Sequence, residues 1–203
     1  MIKKNIIFDF GGVLVDWNPK YLYKKLIENK AEMEEFLEHV CTSDWNEQQD
    51  EGRTLREGTD YLIARYPEKA ALIEAYYSRW EEMLAGPIEG TVNILQQLKN
   101  AGTYGLYGLT NWSTETFPIA LARFDFFSLF DGIVVSGAER IRKPNPAFYQ
   151  LLLSRYNLLA NECLFIDDNR RNTDAAIKLG IPSITFENPE QLLKELNAHG
   201  IYL

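Results

Sequence analysis

Asp9 ends an apolar run, Ile6-Ile7-Phe8, and is followed by Phe10 and the pair Gly11-Gly12 before apolar residues return at Val13–Val15. A carboxylate at the end of such a run is costly to bury unless something pairs with it, and the glycine turn keeps it near solvent. Two readings fit the position. Asp9 either caps a turn, as most aspartates beside glycines do, or is held at the rim of a sheet as a nucleophile or metal ligand. Further stretches weigh on the choice. Tyr104–Leu109 is a β-forming run ending in Thr110-Asn111, and Cys163–Ile166 is another, ending in Asp167-Asp168. Arg142-Lys143-Pro144 follows a third such run, Gly132–Val135. Singly, Thr110 reads as a cap and Lys143 as a solvated charge. Together they offer three carboxylates, a hydroxyl and an ammonium. Clustered carboxylates raise one another's pKa unless a cation sits between them, and an oxygen-only donor set suits Mg²⁺. A lysine and a threonine hydroxyl stabilise phosphoryl oxygens. The chemistry implied is phosphoryl transfer to Asp9.

That convergence needs a scaffold, and the hydrophobic pattern supplies one. From Gly86-Pro87 onward, strand-like and helix-like stretches alternate. Thr91–Ala101 is a helix stopped by Gly102, about 114–124 is another, and Asn145-Pro146 and Asn188-Pro189 cap two more. Ala175, Ala176 and Leu179 mark a helix stopped by Gly180, and Ser183–Phe186 is a last strand. Alternation of this kind predicts a parallel sheet wound on both faces, whose ligands gather at the carboxyl ends of the strands. Between Pro19 and Ala85 the periodicity is helical throughout. Asn18-Pro19 opens it, Thr54 and Glu57 form a capping box, and Ile73, Tyr76, Tyr77, Trp80, Met83 and Leu84 make a stripe read as packing. The fold class expected is therefore α/β, a doubly wound Rossmann-like parallel sheet with an inserted helical cap: a core of residues 1–16 and 87–203 and a cap of 17–86.

The chain has 203 residues, 46% hydrophobic, and a formal net charge of −8. An acidic balance argues against general affinity for nucleic acid or anionic membranes, both of which reward basic surfaces. A phosphorylated metabolite must then find its positive charge locally. Cys41 and Cys163 are too far apart in sequence to suggest a zinc spacing or a disulfide framework, which points to a reducing compartment. Met1–Val15 has the outline of a signal peptide, but Asp9 interrupts it and no small-residue cleavage site follows. No stretch is long enough to span a bilayer. A cytoplasmic protein is expected.

Taken in order, FDFGGVLVD, LTN, RKP and FIDDN resemble the four motifs of the haloacid dehalogenase-like (HAD) hydrolase superfamily, with the helical insertion after the first motif matching its capped subclass. The resemblance implies an aspartyl-phosphate mechanism with Asp9 as nucleophile. Asp9 and Asp168 would ligate Mg²⁺ with the carbonyl of Gly11, and Asp167 would stand near the ion. Thr110, the Asn111 amide and Lys143 would bind the phosphate, and Asn172 would tie down the fourth-motif loop.

One departure matters. Most phosphatases of the superfamily carry a second aspartate two residues after the nucleophile as general acid and base, and here that position is Gly11. Its loss is worth roughly 10²–10⁴ in rate for a poor leaving group. Three explanations stand: a substrate whose oxygen leaves easily, such as an anomeric sugar phosphate; a proton donor from the cap, Glu47 or Asp50; or loss of catalysis in favour of phosphate binding. The first draws on a resemblance to the glucose-1-phosphate phosphatase-like branch, which also has glycine there. Asp167-Asp168 argues against a dehalogenase, and a phosphosugar mutase would need the missing acid. In the cap, Trp45–Arg53 is the expected specificity loop, with Trp45 and Asp50 as candidate substrate contacts. Trp45 has an equally good reading as cap core.

Overall fold

The computed structural model describes residues 4–203, so Met1–Lys3, the head of the leader-like run, lie outside the described residues. β1 (Asn5–Phe8) is the central strand, and its side chains alternate between two packed faces. Ile6 and Phe8 join one apolar cluster, while Ile7 joins the other. A strand covered on both sides must be apolar throughout, which is why this run reads as continuous rather than alternating. After β1 comes β2 (Val15–Trp17), then α1 (Lys20–Leu26), α2 (Lys30–His39), α3 (Ser43–Asp50), α4 (Leu55–Arg65) and α5 (Ala70–Ser78), and then β3 (Leu84–Pro87). The remainder alternates: α6 (Glu89–Ala101), β4 (Gly105–Thr110), α7 (Phe117–Arg123), β5 (Gly132–Val135), α8 (Ser136–Glu139), α9 (Pro146–Arg155), β6 (Cys163–Asp167), α10 (Arg170–Lys178), β7 (Ser183–Thr185) and α11 (Pro189–Ala198).

The main sheet has the order β5-β4-β1-β6-β7 and all its pairings are parallel. This is a doubly wound, Rossmann-like α/β fold. α6, α7 and α11 contribute Leu95, Phe117 and Leu192 to one face of the sheet, and α9 and α10 contribute Phe148, Leu152 and Ala176 to the other. β1 lies between β4 and β6, so the chain's winding reverses beside it and leaves a crevice at its carboxyl end. Asp9, Thr110 and Asp167 all stand at that end. Phe10 anchors the turn beyond Asp9. Its fully buried ring lies 4.9 Å from that of Phe127, and a Cβ at Gly108 would come within 2.2 Å of it. Glycine in the middle of β4 is the space that the Phe10 ring occupies.

The caps read from the sequence are present: Asn145 and Asn188 accept helix N–H groups, Thr54 and Glu57 complete a capping box, and Gly102 ends α6 with φ 67°. One expectation fails. The span 17–86 is not wholly helical, because β2 and β3 pair antiparallel where the chain enters and leaves the insertion. Leu84, read as the end of a helical stripe, lies in β3, and Trp80–Met83 is a single 3₁₀ turn. Strands this short carry too few residues for a period-two pattern to register. Their partner lies some seventy positions away, and only pairing across that distance makes them strands.

Candidate active site

Three carboxylates meet at the carboxyl ends of β1 and β6: one oxygen each of Asp9, Asp167 and Asp168 lies within 4.8 Å of the others. Lys143 reaches them from the loop after α8. Its side chain is fully buried, with Nζ 2.9 Å from Asp9 Oδ1 and 2.7 Å from Asp167 Oδ2. Asn111 fixes the lysine's backbone, accepting from Lys143 N at 2.9 Å and donating to Lys143 O at 3.0 Å. The Asn111 side chain is thus occupied in positioning Lys143. Asp167 accepts from Lys143, from Asn172 Nδ2 at 3.0 and 3.1 Å, and from the Asn169 amide at 2.8 Å. Asn172 holds this loop by gripping Asp167. The more exposed Asp168 lies over Gly12, whose φ is +73° and where a Cβ would come within 2.2 Å of Asp168 Oδ2.

The electrostatics follow from crowding. Burial pushes the Asp9 carboxyl up to about 8, with Asp167 and Asp168 adding to the rise and Lys143 opposing it. Burial and Asp167 also raise Asp168. Burial by itself would lower Lys143, but Asp167 and Asp9 outweigh it and hold the ammonium above its usual range. Oxygen-only ligands whose charged forms are penalised at this density are a donor set that fits a hard divalent cation. Thr110 Oγ1 is buried without a hydrogen-bond partner, beside the lysine and carboxylates at the same strand ends. A hydroxyl left so costs free energy until a ligand oxygen meets it.

Above this floor, a cavity is lined by Gly11, Asn111, Trp112, Ser113 and Thr116 from the sheet side and by Trp17, Asn46, Asp50, Tyr77 and Trp80 from the β2 and insertion side. Asp50, a candidate substrate contact, lines this cavity. Trp45 does not. It is 4% exposed within the insertion, donates its indole N–H to Gly58 O at 2.9 Å and meets Tyr76 edge-on, so it belongs to the packing there. Glu47, one of two candidate proton donors, has each carboxylate oxygen 2.8 Å from a guanidinium, Arg142 on one side and Arg171 on the other. The aromatic stripe is split in function: Tyr76 packs, while Tyr77 and Trp80 face the cavity. Sequence reasoning missed Trp17, Tyr77, Trp80 and Trp112. Only Trp112 carried a signal, its place directly after Thr110-Asn111.

Carboxylates and a buried lysine at the switch point of a doubly wound sheet, with a helical insertion above, define a class of α/β hydrolases. Residues 6–186 match the haloacid dehalogenase-like hydrolase family, and the chain belongs to it. It is 27% identical over 179 residues to a sesquiterpene phosphatase of Aspergillus oryzae, covering 88% of this chain and 87% of that protein. It is 26% identical over 193 residues to a drimenol cyclase of Aspergillus calidoustus, covering 94% of this chain and 35% of that longer protein, so the chain spans about a third of it. Among solved structures, a HAD family enzyme of Bacteroides thetaiotaomicron in complex with magnesium and inorganic phosphate shares the fold, with TM-score 0.69, 22% identity, and coverage of 92% of this chain and 95% of that one.

Proposed function

We propose that the protein is a magnesium-dependent phosphatase that hydrolyses a small phosphate ester through an aspartyl-phosphate on Asp9. The observation that carries this reading is the buried Lys143 ammonium between Asp9 and Asp167, beside an unpartnered Thr110 hydroxyl. The phosphatase and the magnesium–phosphate complex among its relatives support the reading. Asp9, Asp168 and the Gly11 carbonyl would hold the ion, which would neutralise carboxylate and phosphoryl charge when bound. Lys143 and Thr110 bind the phosphoryl oxygens. Asp9 attacks phosphorus as the bond to the leaving oxygen breaks, and water then cleaves the aspartyl-phosphate, freeing Asp9 and inorganic phosphate. Asn111 and Asn172 act one step removed, by holding Lys143 and Asp167.

The helical insertion serves as a cap over this site, and its face determines the leaving group. Trp17, Tyr77, Trp80 and Trp112 give the cavity aromatic walls, which favour a leaving group with an apolar or ring face, a sugar included. The acidic surface and paucity of cysteine suit a cytoplasmic enzyme. The test is a panel of phosphate esters assayed with Mg²⁺ and with EDTA. Magnesium-dependent release of phosphate is expected, fastest for ring-bearing esters. Absence of release from every ester, with phosphate still bound, would overturn hydrolysis in favour of phosphate binding.

A further inference from the structure

Gly11 leaves one wall of the cavity bare. A Cβ built there would meet nothing within 4 Å, and its φ lies outside the left-handed range. Neither space nor backbone explains why no acid stands at this position. Across the same cavity stands Asp50, the last residue of α3.

Its carboxyl is set by a chain of hydrogen bonds whose direction is forced from one end. Arg53 can only donate, and its Nε gives a hydrogen bond to Gln49 Oε1 at 2.6 Å. Gln49 therefore presents its Nε2 to the Tyr77 hydroxyl at 2.7 Å, and that hydroxyl donates to Asn46 Oδ1 at 2.9 Å. Asn46 is then left to donate through Nδ2 to Asp50 Oδ2, at 3.0 Å. The residue is also pinned to the sheet side, because its backbone carbonyl accepts from Ser136 Oγ. Glu47, the neighbouring acid, is held between two arginines and has no such freedom.

We propose that Asp50 is the general acid and base of the reaction, acting from the insertion in the role that a side chain at residue 11 would otherwise fill. The inference rests on the phosphatase reading above. In the first step Asp9 forms its bond to phosphorus, the bond from phosphorus to the leaving oxygen breaks, and the Asp50 proton passes to that oxygen. In the second, the Asp50 carboxylate takes a proton from water as the water attacks phosphorus and the bond to Asp9 breaks. The net reaction is ester plus water to alcohol plus phosphate, with Asp50 again protonated. The charged surroundings agree with this role. Burial, then Glu47 and more weakly Asp9, push the carboxyl up to about 8, against Arg142 and the Ser113 amide. The group thus keeps its proton near neutrality.

The test compares wild type and Asp50→Asn, with Mg²⁺, on aryl and alkyl phosphates graded by leaving-group pKa. Wild type should depend weakly on that pKa. Asp50→Asn should lose roughly 10²–10⁴-fold on alkyl phosphates. On aryl phosphates, which need no donor, it should still release a burst of phenol equal to the enzyme concentration and then stall, because the second step lacks its base. Gly11→Asp in the Asp50→Asn background should restore alkyl phosphate turnover, a rescue that a merely structural role would not allow. Equal losses on both ester classes with no burst, or Asp50→Asn turnover like wild type, would overturn the assignment. Wild type inactive on every ester would overturn the phosphatase reading itself, and the role of Asp50 with it.

Discussion

The carboxylate floor at the strand ends and the insertion face that roofs the neighbouring cavity are built in opposite ways. On the floor, Asp9, Thr110 and Asp167 sit at the ends of adjacent parallel strands, so the sheet register alone brings them together. Lys143 then bridges two carboxylates with its backbone clamped by Asn111. On the roof, the backbone is a set of short helices, and Asp50 is aimed by side chains, Arg53 through Gln49, Tyr77 and Asn46. A floor fixed by strands can hold a transferring phosphoryl group to a narrow geometry. A roof fixed by side chains can change its leaving group by substitution without disturbing that geometry. On the proposed reading the phosphoryl group is held below, while the proton donor and the leaving-group contacts lie above.

The comparison breaks most sharply at Lys143. Lys143→Met leaves Asp9 and Asp167 without their buried counter-charge, and breaking such a pair costs roughly 3–5 kcal/mol. Thermal unfolding in EDTA should show a large fall, partly recovered by Mg²⁺; an unchanged melting temperature would mean that the lysine is no keystone of the floor. Gly12→Ala comes next. The left-handed φ and the 2.2 Å approach to Asp168 Oδ2 force Asp168 aside, so the variant should lose affinity for Mg²⁺ in calorimetry and stability by more than about 1 kcal/mol.

The roof should show itself in pH dependence. The Asp50 carboxyl rises on folding from 3.8 to about 8, so between those values the folded protein holds a proton that the unfolded chain has lost. Stability from this group is full below the unfolded value and declines as pH rises toward 8. Asp50→Asn removes that slope. In EDTA its melting temperature should gain on wild type between pH 5 and pH 8, and a gap that stays constant would show that Asp50 is not buried as described. The smallest effect belongs to Trp45. Trp45→Phe leaves Gly58 O short of a donor, at about 1 kcal/mol, with KM for phosphate esters unchanged. A raised KM would return Trp45 to the substrate.

Most of the floor was legible in the sequence, and little of the roof. Asp9, Thr110, Lys143 and Asp167-Asp168 each end or follow a β-forming run, and parallel topology gathers strand ends on one edge. Asn172 came only with the family resemblance, and its place in the first turn of the helix after β6 is what lets it reach Asp167. The roof has no such rule. Tyr76 and Tyr77 are adjacent in one aromatic stripe, yet one packs and the other faces the cavity, and the choice depends on how α5 meets α3 and α1. Trp45 and Asp50 lay in one suspected loop, but most of it is helix, and Asp50 reaches the cavity, with Asn46, while Trp45 turns into the packing. The β2–β3 pair was hidden for the same cause, since it exists only where distant segments meet.

If the protein works as proposed, phosphorus passes through Asp9. The direct measurement is acid quench of the enzyme with Mg²⁺ and an aryl phosphate, followed by mass spectrometry of its peptides. The peptide holding Asp9 should carry one phosphate, lost on treatment with hydroxylamine as an acyl phosphate must be, strongest in Asp50→Asn and absent from a folded Asp9→Asn. Phosphate on another residue, or brisk turnover by Asp9→Asn, would contradict it.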